Sequence, residues 1–265
     1  MRGRWLVGAI LLLATAAAGE PLPPGLPDGH PAEVTEVLDG ETARLAGGRE
    51  LRLAAILAPR AALPRTGQPS RADPELARLA AASRTALASM IEGRSVVLHV
   101  SGPPRDRHGR EIAQVAGPGG EWVQAALVSQ GLVRVQTTAE NSAEAETLLR
   151  LEGAARDARL GLWRHEMFRV RKPGELGPWI DTFQIVEGTV QPGGERSAGH
   201  LVIAGNGGRL ILTLSARTRS EWRGSGRTVE SLGGQPVRVR GWIRWRSGPV
   251  IDVSHTAQIE RLSPP

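Results

Sequence analysis

Three short segments carry the residues best suited to anion chemistry. Val34–Thr42 contains Asp39-Gly40-Glu41, Leu51–Arg60 contains Arg52 and Arg60, and Asp106–Arg110 contains Arg107, His108 and Arg110. A guanidinium is a planar fork that meets phosphate or carboxylate bidentately, so the arginines are candidate phosphate contacts. Arg52 stands between Leu51 and Leu53; if the leucines face a core, a strand turns Arg52 to the opposite face. The plain alternatives are a surface strand charge at Arg52 and a loop charge at Arg110 paired with Asp106 or Glu111. Arg60 carries a guanidinium, a donor with no acceptor, and cannot act as a base at neutral pH. Glu41 alone is a poor calcium ligand set, because calcium wants several oxygens. Asp39 suits the Asp-Gly turn. His108 could serve as a substitute base near neutral pH, although a lone loop histidine is usually only solvated. His99, His165, His200 and His255 lack H-x-x-x-H or paired-carboxylate spacing, and the chain has no Cys, so zinc and thiolate sites are unsupported.

Taken in order, Val34-Thr35-Glu36-Val37-Leu38-Asp39-Gly40-Glu41-Thr42, Leu51-Arg52-Leu53-Ala54-Ala55-Ile56-Leu57-Ala58-Pro59-Arg60 and Asp106-Arg107-His108-Gly109-Arg110 resemble the staphylococcal nuclease (thermonuclease) family. Its corresponding stretches are typically D-G-D-T, R-L-x-x-I-D-x-P-E and D-x-Y-G-R. The resemblance covers residues of about 33–163 and closes on Gly161-Leu162-Trp163. It implies an OB-type barrel with three helices and hydrolysis of phosphodiesters. In such a site calcium is held by two aspartates and a carbonyl, a glutamate deprotonates water, and two arginines hold the phosphate. The resemblance places those arginines at Arg52 and Arg110, the first metal acid at Glu41, the second at Leu57 and the general base at Arg60. A general base contributes roughly 10²–10⁴-fold and a metal Lewis acid adds to that. Losing both should remove most hydrolysis while leaving an anion grip at Arg52, Arg60 and Arg110.

The elements that must position these residues can also be read. Met1-Arg2-Gly3-Arg4, an apolar run to Ala14 and the small residues Ala16–Gly19 read as a signal peptide over 1–19, ending near 18–19, which implies a periplasmic or secreted protein. An uncleaved anchor is the alternative; no later segment is apolar enough to span a bilayer. The formal charge is +6, or +4 once Arg2 and Arg4 are removed, and Lys172 is the only Lys. A coding bias toward Arg, Ala and Gly accounts for that excess, so charge alone says little about nucleic acid. Residues 20–31 read as a flexible arm, 32–163 as the nuclease-like OB domain, 164–180 as a linker and 181–265 as a small β-rich domain. About three strands fill 32–57, and 60–72 is a Pro/Arg/Gly-rich loop. Asp73-Pro74-Glu75 starts a helix whose face holds Leu76, Leu79, Ala80, Ser83, Leu87, Met90 and Ile91, ending at Gly93. Strands follow at 94–100 and 110–116, with helices over about 121–130 and from Ser142 to about Leu160.

Beyond the linker, three strands, a helical stretch at Ser215–Trp222 and two or three more strands suggest a second OB-like barrel, with a β-sandwich as the alternative. Trp242 and Trp245 lie three apart, so a regular strand sends them to opposite faces and at least one into the core. The fold class is thus mainly β with α (α+β). The leading functional expectation is an exported nuclease-like protein, weakly active or inactive, that binds single-stranded nucleic acid or another polyanion through its arginines. No cofactor is expected; calcium enters only if the site is active. One alternative is an active metal-dependent phosphodiesterase using Glu41 with Asp39 or Asp106. Another is a cell-envelope interaction module without a polyanion ligand.

Overall fold

Along His30–Val37 (β1) the buried positions are Ala32, Val34 and Val37, so the period of two breaks once. A bulge between Val34 and Glu36 causes the break where β1 meets Thr42–Leu45 (β2). The computed structural model describes residues 20–65, 68–142, 144–191, 199–224 and 230–262; the expected signal peptide lies outside them. The first unit continues with Glu50–Leu53 (β3), Ile56–Leu57 (β4), Ala62–Arg65 (β5), Gln68–Ala72 (β6), Pro74–Ile91 (α1), Ser95–His99 (β7), Glu111–Ala116 (β8), Val123–Ser129 (α2), Arg134–Val135 (β9) and Ala145–Asp157 (α3). Strands β1-β2-β3-β8-β7 close into a barrel, and β3 and β8 run parallel. This is the OB strand order.

Helix α1 starts where the cap signal predicts. The Asp73 carboxylate accepts from the N–H groups of Glu75 and Leu76, at 2.9 and 3.1 Å, and Pro74 fits the first turn. Leu76, Leu79, Ser83, Leu87 and Ile91 are its buried residues. Gly40 lies against this helix: a Cβ there would overlap Ser83 Oγ and approach Ala58. The Asp39-Gly40 pair therefore needs glycine for close approach. Gly131 and Gly161, both with positive φ, meet between α2 and the end of the unit, where Leu162 N–H donates to Gly131 O at 2.9 Å.

Three expectations need correction. Residues 60–72 hold the β5–β6 hairpin, not only a loop. Helix α3 begins at Ala145, not Ser142, because the chain first turns through Thr138–Asn141, where Thr138 N–H donates to the Asn141 side chain. Residues 20–22 are fastened to the barrel: Leu22 packs on the core, Trp122 N–H donates to Glu20 O, and Arg150 pairs with Glu20.

The second unit comprises Phe183–Val190 (β10), His200–Gly205 (β11), Gly208–Leu214 (β12), Ala216–Gly224 (α4), Pro236–Trp242 (β13), Arg244–Trp245 (β14), Pro249–Val253 (β15) and Ile259–Arg261 (β16). Its sheet order is β14-β15-β12-β11-β10-β13-β16. The order, the parallel β12–β15 pair and the helix after the third strand repeat the connectivity of the first unit. Here β13 and β15 approach at Gly241 and Ile251 without pairing as strands, so the sheet curls but stays open. Trp242 and Trp245 are 41% and 62% exposed, so neither is core. The strand breaks at the buried Ile243, which resets the alternation on which the expectation rested.

Residues 164–180 join the units through short 3₁₀ turns that bury Met167, Phe168 and Leu176. Phe168, with Leu76, Leu79, Trp163 and Ile185, forms an apolar cluster spanning both units. A polar join lies beside it. The buried Glu152 accepts Val135 N–H at 2.7 Å and Arg240 Nη1 at 2.7 Å, and Arg240 Nη2 reaches Glu260 at 2.7 Å. Thr137 Oγ1 and His255 Nε2 meet at 2.7 Å. Among the described residues no helix is long and apolar enough to cross a membrane.

Candidate functional site

Strand pairing assembles the three segments. Thr42 on β2 lies opposite Arg52 on β3, and β3 pairs in parallel with β8, which follows Arg110 directly. The flanking Leu51 and Leu53 are fully buried, so Arg52 leaves the barrel on the other side. Its side chain stays 16% exposed. One Arg52 nitrogen donates to Ile56 O at 3.3 Å, lies 3.4 Å from Gln136 Oε1, and is 3.7 Å from Glu41 Oε1. Gln136 had no signal in the sequence; it follows β9, which pairs with β4 beside the site.

Glu41 is the buried centre of this cluster, at 1% exposure. Its Oε2 accepts Ala58 N–H at 2.7 Å, and its Oε1 receives Arg60 Nη2 at 3.0 Å. Burial pushes the Glu41 carboxyl above its ordinary pKa, against the opposing pull of Arg52, Ala58 N–H and Arg60. Asp39 makes the turn expected of it, accepting Glu41 N–H at 2.8 Å, and its other oxygen lies 3.3 Å from Arg60 Nη1. Arg60 itself is exposed and carries the positive end of the cluster outward.

Arg110 reaches the same end of the barrel, with Nη1 3.5 Å from Thr42 Oγ1. Asp106 holds it from behind, with Nε and Nη2 at 2.8 and 2.7 Å from Oδ2. Burial opposes the charge on Asp106, but the Arg110 side chain and the N–H groups of His108 and Arg110 outweigh it and hold the carboxyl below its usual range. His108 is exposed and receives Arg107 Nε at 3.1 Å; it does not join Glu41. From Arg110 a shallow depression of about 480 Å³ extends past Arg49, Arg105 and His108. Arg105 donates to Gly109 O, and neither Arg105 nor Arg107 has a carboxylate in ion-pair contact among the described residues. Arg52, Arg60 and Arg110 thus answer Asp39, Glu41 and Asp106 closely, while Arg105 and Arg107 add positive charge beside them and Glu50 lines the same depression as Arg105.

The donor set does not fit calcium. A calcium ion takes six to eight oxygens; Glu41 already binds two guanidiniums and an amide, and Leu57 is a buried hydrocarbon. Among the described residues no three His, Asp or Glu side chains gather where they could hold a metal. The arrangement offers arginines to an anion, and each of the carboxylates Asp39, Glu41 and Asp106 is engaged by an arginine.

A family model described as staphylococcal nuclease homologue matches residues 50–165. No curated protein matches the chain.

Proposed function

We propose, from the premise that residues 50–165 form a domain of the staphylococcal nuclease-like family, that this protein binds single-stranded nucleic acid or another polyanion and hydrolyses it weakly or not at all. One observation carries this reading. At the position where the family resemblance calls for the general base stands Arg60, with its guanidinium 3.0 Å from Glu41. That contact neutralises the acid at the first metal position of the resemblance, and the Arg60 charge would repel a divalent cation. Arg52 and Arg110 keep the positions from which phosphate is gripped, and Arg105 and Arg107 extend the positive surface. Because Asp106 and Asp39 already pair with two of the arginines, an incoming phosphate must displace them. Affinity should then be modest and steeply salt-dependent. The N-terminal pattern of Arg2, Arg4, an apolar run and small residues supports export to the periplasm or medium.

The test is a pair of assays on residues 20–265 with single-stranded DNA and RNA. Salt-dependent binding that falls at least tenfold in Arg52→Ala/Arg110→Ala, without cleavage in calcium, magnesium, manganese or EDTA, is the expected result. Cleavage that needs a metal and disappears in the double variant would overturn the loss of hydrolysis and revive an active phosphodiesterase. Binding that ignores salt and both arginines would instead favour an interaction module without a polyanion ligand.

A further inference from the structure

Leu57, where the family resemblance puts a metal acid, lines a cavity of about 220 Å³ at the meeting of the two units. Met167 and Phe168 from the connecting turns, Phe183 on β10 and Trp242 on β13 supply its large apolar side chains. Arg60 and Arg134 also line it.

Arg134 is only 4% exposed. The Phe168 and Phe183 rings lie 4.9 and 5.0 Å from its guanidinium carbon. Its guanidinium donates from Nη1 to Phe183 O at 2.7 Å. No carboxylate pairs with it among the described residues. The other deeply buried arginines differ: Arg171 pairs with Glu166, and Arg240 with Glu152 and Glu260. Burial draws the Arg134 pKa down to about 10, which still leaves it charged at neutral pH. Glu152 and Glu41 act on this buried cation only from a distance, so its burial is met by no direct charge partner among the described residues, and it borders an apolar cavity.

We propose that this cavity binds a small aromatic anion, whose ring lies among Phe168, Phe183 and Trp242 and whose carboxylate or phosphate meets Arg134. Size limits the ligand. A volume of about 220 Å³, roughly seven waters at about 30 Å³ each, has room for a single ring with an anionic head. A charge-assisted contact to a guanidinium that is itself 4% exposed is stronger than its counterpart in water. This inference does not rest on nucleic-acid binding at Arg52 and Arg110.

The experiment is calorimetric titration of residues 20–265 with benzoate, phenyl phosphate and the neutral benzamide, supported by Trp fluorescence. Saturable binding of benzoate or phenyl phosphate is expected, with benzamide at least tenfold weaker. Which of the two binds tells whether the head group is a carboxylate or a phosphate. Arg134→Gln should weaken the anion at least tenfold and leave benzamide nearly unchanged, and that unchanged binding also reports a folded cavity. Trp242→Ala, at the partly exposed edge, should weaken all three probes several-fold, while Arg52→Ala/Arg110→Ala should alter none. The proposal is overturned if neither anion binds saturably to the wild type, if benzamide binds as well as benzoate, or if the Arg52/Arg110 variant loses the anion while Trp242→Ala does not.

Discussion

At Glu41 a carboxylate with almost no solvent contact meets Arg52, Arg60 and the Ala58 amide. It neutralises the positive cluster from within. In Glu41→Gln an amide oxygen can still accept Ala58 N–H, but the site gains one net positive charge. Binding of single-stranded DNA should tighten several-fold, and the slope of log affinity against log salt should steepen by about 0.7 if one more phosphate is engaged. Titrations at three salt concentrations check this; unchanged affinity would show that the arginines do not face the strand. Arg60→Glu should not restore cleavage, since the new acid would sit beside Glu41 and Leu57 would remain a hydrocarbon. A metal-dependent rate in that variant would contradict the loss of hydrolysis. Much at this scale was legible. Arg52, Arg110 and the missing acids stood in readable motifs, and Glu41 lay near Asp39 in sequence. Gln136 was hidden because it reaches the cluster through the short β4–β9 pair, and two-residue strands leave no periodic trace. Arg134 was hidden too, since one arginine between two valines reads like any strand charge until both sides are covered.

Elements with a local cause were readable, and those held by distant partners were not. Helix α1 has a cap, a proline and one apolar face within its own residues. The β5–β6 hairpin forms from a Pro- and Gly-rich stretch with no clear alternation, and Trp242 and Trp245 escape the period of two because Ile243 interrupts their strand. One packing contact gives a paired prediction. Ser83 Oγ is buried without a hydrogen-bond partner, so Ser83→Ala should stabilise the protein by about 1 kcal/mol through removal of an unmet polar group. Gly40→Ala alone should destabilise it by more than about 1 kcal/mol, since the new methyl overlaps the hydroxyl. The double variant should recover part of that loss. Urea denaturation of the four proteins tests the coupling, and simple additivity would mean that the two elements do not touch as described.

Across the whole molecule, the units share an apolar cluster and a buried ion network, so denaturant should unfold them in one transition. Arg240→Ala would leave Glu152, which is fully buried, without its closest cation, and should cost about 3–5 kcal/mol. The sequence separation of Arg240 and Glu152 explains why no local pattern announced this join. The His255–Thr137 contact adds a pH dependence. Burial lowers the His255 pKa below 6.5, against the pull of Glu221 and Glu140. Below that value the unfolded chain binds the proton more readily, so stability is intact above pH 6.5 and falls as pH drops toward the folded-state pKa. Thermal melts between about pH 7 and 5 should show this loss in the wild type and a smaller one in His255→Gln. Equal slopes would remove His255 from the account.

The Glu152 join also sets a clock on one backbone proton. Val135 N–H donates to Glu152, and Val135 O accepts from Arg240. The Val135 amide exchanges with deuterated solvent only when Glu152 releases it, and Arg240 of the second unit holds that carboxylate in place. Its exchange rate therefore separates two events that melting merges. In the wild type it should belong with the slowest amides of the first barrel, such as Leu53, whose N–H donates to Glu41 O. In Arg240→Ala it should exchange faster than Leu53, timing the parting of the two units while the first barrel stays folded.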